Sequence, residues 1–106
     1  MWIFALEGFV SIVAVRGRTD RLMIRGRLQE DVEHWRDLVG EGELKHTSNA
    51  DYAWRFTARR MAVAKALAQL ARKVSYDNFK GAVGHTNPER ARAYMAVWAA
   101  MRQLQS

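Results

Sequence analysis

Twice in this chain apolar and basic residues alternate one for one, and a period of two commits the backbone to a half-buried strand. In residues 21–28, Leu22, Ile24 and Leu28 fall on one face while Arg21, Met23, Arg25 and Arg27 fall on the other. In residues 51–59, Tyr52, Trp54, Phe56 and Ala58 alternate with Ala53, Arg55, Thr57 and Arg59. Each stretch predicts a strand with one apolar and one basic face. The rest of the chain must then supply something to cover the apolar side.

Helical periods lie between and after these strands. From Gln29, Val32, Trp35 and Leu38/Val39 share one side; acidic residues crowd the first turn, where they complement the helix dipole, and Gly40 is a plausible stop. A second helix, beginning near Arg60 or Met61, places Val63, Leu67, Leu70 and Val74 on one stripe. A third opens with Asn87 as cap and Pro88 at the first helical position, and carries Ala91, Tyr94/Met95, Trp98 and Met101 at helical spacing. At the start, "WIFAL" and "FVSIVAV" flank Glu7-Gly8, which predicts a hairpin of two short antiparallel strands. Residues 16–20 and 40–51 have loop composition, with Leu44 to Thr47 able to pair briefly at an edge.

The predicted order is therefore β-β-β-α-β-α-α, an α+β fold with a small antiparallel sheet of about four strands and helices packed on one face. A length of 106 residues suits a single domain, 1–106, and 49% hydrophobic residues argue against disorder. Trp2, Trp35, Trp54 and Trp98 all fall on apolar sides and are assigned to the core. The apolar start has no basic region before it and is broken by Glu7-Gly8, so neither a targeting segment nor a membrane span is expected. The lack of cysteine removes disulfides, thiolate metal sites, Fe–S clusters and a cysteine nucleophile, and it fits a cytoplasmic location.

Catalytic motifs are present only in fragments. Tyr76 and Lys80 have the Tyr-x-x-x-Lys spacing of short-chain dehydrogenases, but no glycine-rich phosphate turn follows a first strand. Ser75, Asp77 and His85 are the residue types of a hydrolase triad without a nucleophile elbow. Glu30 and His34 share a helix face, and two ligands do not make a metal site. No catalytic residue, metal or cofactor is assigned, and the balance leans away from an enzyme. The stretch 74–85 is instead read as a helix-to-helix connector. Tyr76 and Phe79 anchor it, Asn78 satisfies backbone groups as the second helix ends, and Gly81 and Gly84 permit the turn.

Charge is the stronger signal. Seventeen lysines and arginines against eleven acidic residues give a net charge of +6, which favours an anionic partner. The basic faces of the two alternating strands would bring Arg25, Arg27, Arg55 and Arg59 together, with Lys80 as an outward addition from the connector. Arginine suits phosphate because its planar fork donates two charge-assisted hydrogen bonds. Sheet-face readers of RNA also stack bases on aromatic rings. Here the fourth strand's aromatic residues share the buried parity, and Trp2, Phe4 and Phe9 would contribute only if the hairpin turned them outward.

Along nearly its full length the chain resembles a group of small bacterial proteins, through "MWIFALEGFVSIVAV", "ADYAWRF" at 50–56, "YDNFK" at 76–80 and "RARAYMAVW" at 90–98. No activity attaches to that group; the resemblance implies one compact domain and makes the YxNFK segment a fixed feature. The functional expectation is a non-enzymatic basic module that engages an anionic partner, foremost nucleic-acid backbone. The alternative is a protein-interaction module, of accessory or phage-inhibitor type, that docks on an acidic protein surface or self-associates.

Overall fold

The computed structural model describes residues 1–105. Its elements are β1 (Trp2–Ala5), β2 (Gly8–Val15), β3 (Arg18–Gly26), α1 (Gln29–Val39), β4 (Lys45–His46), β5 (Trp54–Arg59), α2 (Arg60–Lys73), α3 (Phe79–Thr86) and α4 (Pro88–Met101), followed by a 3-10 turn at Arg102–Leu104. The chain divides into two compact units, Met1–Val74 and a second that begins at Ser75.

The first unit holds a five-stranded antiparallel sheet in the order β1-β2-β3-β5-β4, so the α+β expectation stands with one strand more than anticipated. The added strand is the brief edge pairing foreseen around Leu44–Thr47, in which Lys45 and His46 lie opposite Arg55 and Trp54. Val10, Ile12, Ile24, Phe56 and Ala58 from the sheet pack with Val32, Trp35 and Val39 of α1 and with Val63 and Ala66 of α2. Both helices thus cover a single face. Gly26 permits this approach, since a Cβ there would sit 2.7 Å from Val32 Cγ2.

The first hairpin is fixed from the opposite element. Leu6-Glu7 form the turn and Gly8 follows at φ 129°, a conformation open mainly to glycine. A Cβ on Gly8 would fall 2.5 Å from Asp31 Cγ, so the missing side chain makes the space that the carboxylate fills. Asp31 is buried in the first turn of α1, where its Oδ2 accepts the Phe9 N–H at 3.1 Å. The helix start and the hairpin are therefore tied through one side chain.

Three expectations fail in the second unit. Gly81 and Gly84 lie inside α3 and do not form a turn, because Asn78 accepts the Gly81 N–H at 3.1 Å and starts a new helix at Phe79. Asn78 thus caps the following helix and does not finish the preceding one, which ends at Lys73. The apolar side of α4 is not buried: Trp98 is 55% exposed, and Met101 is exposed as well. Asn87 does cap α4, accepting the Arg90 N–H at 3.0 Å, with Pro88 at its start. Tyr76, Phe79 and Tyr94 form a run of ring contacts, with Phe79 and Tyr94 stacked at 5.9 Å.

Candidate functional site

Strand register assembles the basic face. In antiparallel pairs, residues directly opposite project on the same side. Trp2 faces Ser11, Ser11 faces Arg25, Arg25 faces Arg55, and Arg55 faces Lys45. One straight row thus crosses all five strands on the side turned away from α1 and α2. It begins with an exposed tryptophan and ends with three consecutive cations.

The neighbouring positions divide this face into an aromatic end and a paired-charge end. Phe4 and Phe9 lie opposite each other and stack at 4.6 Å, and the Trp2 ring meets Phe9 edge-on at 6.3 Å. Phe9 also contacts Tyr52 at 6.4 Å. Tyr52 was expected in the core with Trp54 and Phe56, but β5 begins only at Trp54 and the residues before it do not keep the alternation. Its buried ring instead lies under the Arg25 and Arg27 guanidinium carbons, at 4.8 and 5.0 Å. Of the four tryptophans assigned to the core, Trp35 is fully buried and Trp54 packs against the core. Trp2, 66% exposed, and Trp98 do not join it.

The five sheet-face arginines separate by partner. Arg59 donates through Nε to Glu41 Oε1 at 2.8 Å and through its backbone N–H to Oε2 at 2.9 Å, while Arg21 approaches the same carboxylate at 3.9 Å. The Arg59 side-chain hydrogen bond, helped by its backbone N–H and opposed by partial desolvation, holds the Glu41 carboxyl below its ordinary pKa. Arg27 lies past the end of β3, where it binds the Asp51 carboxylate at 2.9 Å. Among the described residues, Arg25 and Arg55 meet no carboxylate. Arg25 donates to Ser11 Oγ at 3.4 Å, and Arg55 donates to the Tyr52 carbonyl at 2.9 Å.

The arginines expected to act together therefore fall into two kinds. Arg25 and Arg55 form an uncompensated pair, which Lys45 extends; Arg27 and Arg59 are each held by an acid. Lys80 lies exposed in the first turn of α3, in the second unit. The sequence reading missed Lys45, whose signal was the edge pairing itself, because a residue opposite Arg55 must share its face. It also placed Trp2 in the core and left Phe4 and Phe9 without a face. Among the described residues, no three histidine or acidic side chains gather to hold a metal. Among the described residues, no helix is long and apolar enough to cross a membrane. Compared with protein-family models, with curated proteins and with solved structures, the chain has no match.

Proposed function

We propose that this chain is a non-enzymatic binding module that engages the nucleic-acid backbone through the sheet face opposite α1 and α2. One observation carries the reading: Arg25, Arg55 and Lys45 stand side by side in register with no carboxylate on the first two. Like charges directly opposite each other on neighbouring strands oppose folding, and a polyanion laid across them removes that repulsion. The aromatic cluster beside the row gives the same face a large apolar surface next to its cations.

A titration of oligonucleotide binding against salt tests it. Affinity should fall steeply as salt rises, and Arg25→Ala and Arg55→Ala should each make that slope shallower. Absence of binding at low salt overturns the reading. A second reading, docking on a protein, is favoured by the exposed Trp98, Met101 and Leu104 near the end of the chain. Pull-downs with and without nuclease separate the two. A partner kept after nuclease and lost with Trp98→Ala supports the protein reading, and loss on nuclease alone supports nucleic acid.

A further inference from the structure

We infer that the ligand is single-stranded nucleic acid, with a base stacked on Trp2 and phosphates lying over Arg25, Arg55 and Lys45. This rests on the reading above and narrows it. The row that holds the cations also holds Trp2, with the buried Ser11 between them, so one extended strand laid across it meets the indole at one end and the cations at the other. Four strand spacings make the row roughly 19 Å long, room for a few nucleotides.

Geometry selects against duplex. A double helix offers its phosphates outside and its base edges in grooves, but the flat faces of its bases are already stacked. The exposed Trp2 ring, nearly perpendicular to Phe9, offers π-surface that an unpaired base can cover. The cations lie within a sheet about 19 Å wide, broader than the ~12 Å major groove, which admits a helix or a two-stranded ribbon. An acidic protein would need an apolar or aromatic side chain of its own to cover the indole, whereas every nucleotide carries a flat base beside its phosphate. The remaining rings back the platform: Phe4 stacks on Phe9, and Phe9 rests against Tyr52, whose ring is in turn held by Arg25 and Arg27. Aromatic and basic halves are thus joined by contact.

The test is fluorescence anisotropy at low salt with labelled strands of about a dozen nucleotides, in single-stranded DNA, single-stranded RNA and duplex form, with inorganic polyphosphate as competitor. The single strands should bind more tightly than the duplex and should resist polyphosphate. Trp2→Ala should weaken single-strand binding roughly five- to hundredfold without altering the salt slope, and Trp2→Phe should restore part of the loss. An unchanged melting temperature for Trp2→Ala, expected for so exposed a side chain, shows that the loss is not unfolding. Equal affinity for duplex, displacement by polyphosphate as easy for the single strand as for the duplex, or indifference to Trp2→Ala overturns the single-strand inference. In those cases the backbone reading survives if Arg25→Ala and Arg55→Ala still flatten the salt slope. No binding to any strand removes both.

Discussion

Replacing Lys45 with glutamate should stabilise the fold and weaken the ligand, opposite signs from one substitution. Lys45 is exposed on a two-residue strand, and its partner Arg55 is flanked on the other side by Arg25. Two like charges about 5.5 Å apart repel by roughly 0.7 kcal/mol in water, so reversing one sign is a swing of about 1.5 kcal/mol. A Debye length of ~10 Å at 0.1 M salt removes close to half of that. Flexible side chains lower the remainder to about 0.5–1 kcal/mol, the range measured for exposed pairs. In a domain of this size the melting temperature should rise by roughly 2–8 °C. The lost cation should flatten the dependence of log affinity on log salt by about 0.7 for a single strand. Calorimetry reads the first effect and a salt series of anisotropy titrations the second, with Lys45→Ala giving about half the thermal gain. A lower melting temperature for Lys45→Glu would refute the repulsion argument. An unaltered salt slope would remove Lys45 from the binding row.

Gly8→Ala combines a disfavoured φ of 129° with a Cβ placed on the Asp31 carboxylate, and should destabilise by about 2–3 kcal/mol in denaturant unfolding; a loss below about 0.5 kcal/mol, the range of ordinary surface substitutions, would mean that the hairpin shifts freely. Glu41 has a folded pKa below its unfolded one, so its contribution is full above the unfolded value of about 4.3 and fades as pH falls through the folded value. Glu41→Gln should therefore lose stability near neutrality and differ less from the parent in acid, as thermal melts across pH will show; a gap that widens in acid contradicts the sign. Asn78→Ala removes the α3 cap, worth about 1 kcal/mol, and should speed amide exchange at Gly81 roughly fivefold while oligonucleotide affinity holds.

Local periodicity made most of the sheet and its covering helices legible. Val32, Trp35 and Val39 on α1, and Ile24, Phe56 and Ala58 on the strands, all lie in the core as their spacing implied. The arginine face was legible for the same reason, because alternation assigns Arg25 and Arg55 to one side before any pairing is known. Periodicity said less where an element begins or ends. Tyr52 kept the parity of β5 in sequence but precedes its first residue, so its ring joined the opposite face. β1 is apolar on both faces, so alternation could not orient it, and Trp2 was assigned to the core although it lies on the outer face. The partners of the arginines were also invisible. Glu41 and Asp51 sit in loops, and only the folded path brings them to Arg59 and Arg27.

The two departures from ordinary sheet construction fall on the same row. An exposed strand face normally carries mixed charges and few large rings. Here it carries Trp2 at one end and three cations in direct opposition at the other, although Glu41 and Asp51 neutralise arginines a few residues away. Packing does not require Trp2, because the core closes with Ile3 from the same strand. Register does not require Lys45 opposite Arg55, since glutamate there would pair better. Neither feature is needed to close the core, and departures from local rules are expected at functional or strained sites. On the proposed reading a single strand of nucleic acid would account for both at once, its bases covering the ring and its phosphates pairing the cations. Partners lacking one of these groups leave half of the row unexplained.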